Sequence, residues 1–475
     1  MQALDWVLKQ RGVLICYELT MLKQILSKIP RKSLKSDPQD LLRNNNKDND
    51  DSPANTGNGM QFTNSCSVIG SRHLNVVKRV SSAIFPTGGG ERETISPHLS
   101  FKDVSNGEKL RLFISKLNFC CSMYDSTDPN KKDLKSQMLI DLNDYVTSGS
   151  AKCTTEPAIA AVCRMCAFNL FRDFPPKYGR GDFVDEEEQF FYPAWHHLQL
   201  VYDLFLHYLS LSSLDPKVAK KSIDHSFITK LLNLFESDDP REREFLKSVL
   251  HRLYGKFMTH RPFIRKAMSH SFYRFVFETQ RHNGIAELLE VFGSVITGFA
   301  LPLKEEHKSI FSRALIPLHK PKSLGVYHQQ LTYCIVQFVK KEQSLASEVI
   351  TRLLRYWPLT NSQKEVMFIG EIEEVLEMIS FSEFEKIATP LFRRIGSCLN
   401  SFHFQVAERA HLLWGNESVL KLIMHAKHAT VPIVLSALER NSQNHWSKAI
   451  RNQSLNIIKV FHEMEKEAKI DMGTP

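Results

Sequence analysis

From about Leu110 onward the chain reads as one helix after another, and that pattern leaves few folds open. Segments of roughly 12 to 20 residues place apolar side chains at three-and-four spacing. Short breaks rich in Pro, Gly, Asp or Asn separate them, as at Asp173–Pro176, Asp238–Pro240, Leu301–Pro302, Pro321 and Trp357–Pro358. The last segment shows the period plainly, with Ile450, Ser454, Ile457, Ile458, Phe461 and Met464 on one face. No sustained period-two alternation argues for strands. Helices this short bury their apolar stripes by pairing antiparallel and stacking in series, about 40–47 residues per pair. The expected fold is therefore all-α, a curved α-α superhelix (solenoid) of HEAT-like helical repeats over 106–470. Each repeat covers only its neighbours, so one domain can run this long.

The amino end differs. Residues 1–35 form a basic amphipathic segment, with Met21, Leu22, Ile25 and Ile29 followed by Arg31, Lys32 and Lys35. The span 36–105 turns to Asn, Asp, Ser, Pro and Gly and has too little to bury to offset its ordering entropy, so a mostly disordered linker is expected. Residues 471–475 read as a tail. The Gly88-Gly89-Gly90 run is not a phosphate loop, because no Gly-Lys-Ser/Thr follows it.

Several kinds of chemistry can be set aside. No window of eighteen apolar residues appears, so no membrane span is expected. The net charge of +9 favours acidic partners, but no nucleic-acid motif accompanies it. Nine cysteines, without framework spacing and set mostly in apolar runs, fit reduced thiols in a cytoplasmic or nuclear protein. Cys163 and Cys166 form a Cys-x-x-Cys with no second pair, which reads as core thiols. Arg180–Glu186 (RGDFVDE) carries the Gly-Asp-x-x-Asp of metallophosphatases, but the companion His and Asn motifs are missing, and a catalytic dinuclear centre needs them. No catalytic residue, metal site or cofactor is expected. Asp182–Glu188, including Asp185, Glu186, Glu187 and Glu188, reads instead as an acidic loop between two helices, either solvated or facing a basic or metal-bearing partner.

The stretch 241–307 is the strongest candidate for function. Between Arg241 and Arg274 lie nine Lys/Arg and two acids. Lys247, His251 and Tyr254 fall within roughly sixty degrees of one another at about 100° per residue. The segment from Ile285 to Phe299 carries an apolar arc on the order of 160°, wider than one neighbour needs. Its surplus is covered either by another helix or by an apolar peptide in a groove.

Six blocks resemble the B-prime regulatory subunits of protein phosphatase 2A. They are Phe245–Phe257 (FLKSVLHRLYGKF), His282–His307, Pro193–Asp203 (PAWHHLQLVYD), Lys364–Leu376 (KEVMFIGEIEEVL), His403–Trp414 (HFQVAERAHLLW) and His445–Met464. The resemblance implies a non-catalytic regulatory subunit that joins a scaffold and a catalytic subunit in a heterotrimer. It also implies recruitment of phosphorylated or acidic substrate peptides of the form Leu-x-x-Ile-x-Glu. The residues implied for that groove are Lys247, His251, Arg252, Tyr254, Arg261, Arg265, Val291, Val295, Lys304 and His307, and the acidic loop is implied to lie near the catalytic subunit. Val291 and Val295 stand where many members carry Ile, and each lost methylene weakens contact by under about 1 kcal/mol. Pro262 is a second departure, expected to re-aim Arg261. Gly370 and His411 depart within packing segments. A helical-repeat adaptor, importin-like and without a phosphatase, is the alternative the residues alone leave open.

Overall fold

The computed structural model describes residues 96–121, 129–149, 151–174 and 194–471. All the described residues belong to one compact unit, Gly89–Pro475. The basic segment 1–35, most of the linker span 36–105 and the acidic loop Asp182–Glu188 lie outside the described residues.

Among the described residues all regular structure is helical. The main helices are α1 Lys109–Cys120, α2 Pro129–Thr147, α3 Glu156–Leu170, α4 Trp195–Ser210, α5 His225–Asn233, α6 Pro240–Lys256, α7 Arg261–Arg274 and α8 Ile285–Thr297. They continue with α9 Glu305–Ile310, α10 His328–Lys341, α11 Leu345–Arg355, α12 Ser362–Leu376 and α13 Phe381–Leu399. The last four are α14 Phe404–Leu412, α15 Glu417–His425, α16 Lys427–Asn444 and α17 Lys448–Asp471.

Short polar residues ahead of the helices work as caps, and one of them, Asp239, lies in a break read from sequence. Asp224 accepts from the Phe227 amide at 2.8 Å, Asp239 from Arg241 at 2.9 Å and Asn361 from Lys364 at 3.0 Å. Each satisfies an orphan amide of the first turn. The expected helix Ile285–Phe299 stops at Thr297, where Gly298 caps it. Pro390 and Pro432 lie inside α13 and α16 rather than ending them.

Most helices pack on the one two places along, while α13 meets α16 and α14 meets α17 past the short α15. One layer runs α2, α4, α6, α8, α10, α12, α14 and α17; α5, α7, α11, α13 and α16 belong to the other. This is an α-solenoid. Among the described residues a single apolar core runs from Phe113 to Phe461. Two glycines show how closely the layers fit. A Cβ on Gly293 of α8 would lie 2.8 Å from the Tyr333 ring of α10. Gly370 leaves room for the Arg409 guanidinium, which pairs with Glu373. His411 bridges helices, its Nε2 lying 2.8 Å from Ser454 Oγ of α17. The two departures in packing segments therefore hold specific contacts.

Candidate functional site

The site is assembled by α6 to α9. Asp239, fully buried, caps α6 and also receives the Arg241 guanidinium at 2.7 Å. Two ion pairs then bind α6 to α8: Arg243 to Glu287 at 2.8 Å and Lys247 to Glu290 at 2.5 Å. Lys247 also meets Glu244 at 2.7 Å. Burial works against the Lys247 charge, but the Glu244 and Glu290 contacts outweigh it and hold its pKa above the ordinary lysine value.

One turn further along α6 stand His251, Arg252 and Tyr254, all partly exposed. Burial first, and the neighbouring Arg252 second, push the His251 pKa down. Near neutral pH its ring is then uncharged, with one nitrogen to donate and one to accept. Pro262 lies in the first turn of α7, where a missing amide costs nothing. Arg261 beside it folds back on α6. Its Nε donates to Tyr254 O at 2.9 Å, its Nη2 to Gly255 O at 3.2 Å, and its guanidinium lies 5.0 Å from the Tyr254 ring centre. Its charge thus serves the carbonyl end of α6.

Arg265 is 8% exposed and ties three helices together. It donates to Tyr254 Oη at 3.2 Å and, in fork geometry, to Glu306 of α9 at 3.0–3.2 Å. Next to it, His307 stacks on Phe299 with ring centres 3.7 Å apart. The His307 pKa is lowered by burial and then by Arg265, and its Nδ1 has no hydrogen-bond partner among the described residues.

Nine of the ten implied groove residues converge on this one region, linked through the contacts above or through neighbouring positions on α6, α8 and α9; the tenth, Lys304, is the exposed N-cap residue of α9. Val291 and Val295 are only 2% and 3% exposed. They belong to the α8 core and offer a visitor a floor rather than an open wall. Sequence reasoning missed Glu290 and Glu306. They lie 43 and 41 residues from the cations they neutralise, and nothing in local spacing signals such a pairing. Of the cations in the cluster, Arg252 and Lys304 are the two held neither by an acid nor by a backbone carbonyl among the described residues.

Elsewhere, Cys163 and Cys166 lie buried in α3, and burial pushes the Cys163 thiol up to about 12. His197 Nε2 lies 3.0 Å from Asn169 Oδ1, and burial lowers its pKa to about 3. Both are core groups. Among the described residues no three His, Cys, Asp or Glu side chains are placed to hold a metal ion, and no helix is long and apolar enough to cross a membrane.

Comparison with known proteins gives this architecture a family context. The family model described as protein phosphatase 2A regulatory B subunit (B56 family) matches residues 98–473. The rice (Oryza sativa subsp. japonica) B′ kappa isoform of the 57 kDa regulatory subunit of serine/threonine protein phosphatase 2A is 58% identical over 454 residues, covering 94% of this chain and 88% of the relative. The Arabidopsis thaliana kappa isoform is 55% identical over 452 residues, covering 94% and 89%. The Arabidopsis thaliana B′ theta isoform is 48% identical over 461 residues, covering 94% and 92%.

Proposed function

The chain belongs to the B56 family of protein phosphatase 2A regulatory B subunits, a regulatory subunit and not an enzyme, and we propose that it directs the phosphatase by holding acidic Leu-x-x-Ile-x-Glu peptides on the α6–α9 face. It docks on the scaffold–catalytic core, with the acidic loop Asp185–Glu188 turned toward the catalytic subunit. A tethered phosphosite then meets the active site at a raised effective concentration. The observation that carries the reading is the cluster around Tyr254: two uncommitted cations, Arg252 and Lys304, beside two further cations held by acids and two imidazoles depressed by burial. The peptide glutamate, or a phosphate near it, is the natural ligand of such a rim. His251 suits a backbone group of the peptide.

Titration of the purified chain with a fluorescent Leu-x-x-Ile-x-Glu peptide tests this. Micromolar binding is expected, abolished when Leu and Ile both become Ala. Arg252→Ala should weaken it by about tenfold, the scale of one charge-assisted hydrogen bond. Equal binding of the wild-type and double-Ala peptides would remove the proposal.

Glu306 and Glu290 occupy cations that a peptide acid would otherwise use, so they compete with it. Glu306, 44% exposed in its ion pair with Arg265, is the accessible one. Glu306→Gln should tighten the peptide several-fold at low salt, with the gain fading as ionic strength rises. Unchanged or weaker binding by the variant would show that Glu306 orients Arg265 rather than masking it.

A further inference from the structure

Helix α7 gives one side to the core and the other to solvent. Ile264, Met268, Phe272 and, just past its end, Phe275 are buried. Pro262, Lys266, His270, Tyr273, Arg274 and Phe277 are exposed. At about 100° per residue those six fall in one stripe roughly 120° wide. The stripe holds two cations, an imidazole and two aromatic rings, and no acid. Tyr273 and Phe277 are each 49% exposed, and their ring centres lie 4.7 Å apart.

More cations gather beside the two rings. Lys320, exposed on the turn ahead of α10, sets its Nζ 5.3 Å from the Phe277 ring centre and 4.8 Å from that of Tyr356. Lys322 is exposed two residues further on. Two acids border the stripe. Glu278 lies 3.5 Å from Arg274 Nε, an exposed contact of small strength, and Glu236 lines a small cleft together with Arg274. Among the described residues no carboxylate pairs with Lys266, Lys320 or Lys322, so their charge is left for a partner.

We propose that this face of α7 seats the chain on anionic membrane surfaces, with its cations on lipid headgroup anions and its two rings at headgroup depth. Unpaired Lys and Arg are drawn to an anionic leaflet within a Debye length. Half-exposed aromatic rings beside them suit the boundary between headgroups and acyl chains. A lysine stem laid over a ring, as Lys320 is over Phe277, keeps its ammonium among the headgroups while the ring goes deeper. Single-stranded nucleic acid fits less well, because it stacks its bases on open ring faces. Here the two rings lean on each other at 41° and Lys320 covers one of them. Lys266 lies roughly 140° around the helix from Arg261. Membrane contact and peptide recruitment then use different sides of α7.

The test is co-sedimentation of the full chain with vesicles of phosphatidylcholine alone, or with about a third phosphatidylserine. The wild-type chain is expected to bind only the phosphatidylserine vesicles, and less as salt rises. Binding should fall at least about tenfold in Lys266→Glu/Arg274→Glu and about threefold or more in Phe277→Ala. Circular dichroism reports on folding. If the charge-reversed pair fails to fold, Lys266→Gln/Arg274→Gln decides, with a fall of about threefold or more expected. Smaller falls in the folded variants, equal binding to the two kinds of vesicle, or no vesicle binding by the wild-type chain would overturn the proposal. Tighter binding to single-stranded DNA than to the vesicles, lost in the same variants, would assign the face to nucleic acid and overturn it as well.

Discussion

Glu371→Ala is expected to destabilise the folded chain by about 3–5 kcal/mol, the cost of breaking a buried, hydrogen-bonded charge pair. Glu371 is fully enclosed between α12, α10 and the turn before α10. His319 Nε2 lies 3.0 Å from both of its carboxylate oxygens, and His328 Nε2 and Thr332 Oγ1 lie 3.0 and 3.2 Å from one of them. His319 Nδ1 in turn faces Ile316 O at 2.8 Å. Both His319 nitrogens therefore meet acceptors, and removing the carboxylate strands a donor at a site with no access to water. Urea denaturation followed by circular dichroism gives the comparison.

The pH dependence has a definite sign. Burial alone would raise the Glu371 carboxyl, but the His319 and His328 contacts outweigh it and hold its pKa below the ordinary carboxylate range. A depressed carboxylate contributes stability above its unfolded value, about 4.3, and loses it as pH falls through the folded value. The gap between wild type and Glu371→Gln should then be full at pH 6–7 and close below about pH 4. A gap that stayed constant down to pH 3 would show that shape, not charge, holds this cluster.

Glu242→Ala should cost about 3 kcal/mol or more for the same reason, but at the other end of the molecule. Glu242 has no exposure and gathers partners from distant helices. It accepts from Tyr202 Oη at 2.8 Å, from Ser237 Oγ at 2.5 Å and from both terminal nitrogens of Arg172. It thereby joins the end of α3 to α4 and to the first turn of α6. In a solenoid, stability is close to a sum of neighbour terms, so the damage should be local. Hydrogen exchange is expected to rise in α1–α4 and little beyond α10. Uniform loss of protection along the whole chain would refute a local coupling of this kind and show that the solenoid unfolds as one unit. Because α6 carries His251 and Arg252, peptide affinity gives a second readout, and it should weaken only if the start of the helix loosens the whole of it.

These two glutamates mark the limit of what could be read without a structure. Both sit in polar-looking stretches, PREREF and FIGEIEE, where an acid is ordinarily solvated. Their burial follows from side chains 70 and 52 residues away, and no local periodicity carries that distance. The α6–α9 face shows the same division. The ridge of Lys247, His251, Arg252 and Tyr254 was legible because helical pitch alone brings those positions together. Its electrostatic state was not, since Glu290 and Glu306 reach it from other helices. Val291 and Val295 were recognised as apolar contact positions, but their depth depends on how α8 meets α10. Arg261 was expected to be re-aimed by Pro262; its guanidinium in fact lies on the last carbonyls of α6, a contact set by the turn between two helices.

Helical pitch and the placement of Pro, Gly, Asp and Asn settled the class of fold and the run of helical segments. These depend on interactions within about four residues, where hydrophobic period, Pro and Asp placement and capping chemistry act directly. Tertiary structure alone decided which charges are spent inside the molecule, which apolar residues are floor and which are exposed, and that Lys320 comes to rest beside Phe277. The physical reason is that each of those outcomes is a sum over neighbours roughly 40 residues or more apart in the chain. The stacking of helices brings such residues together, and the chain does not encode that stacking locally.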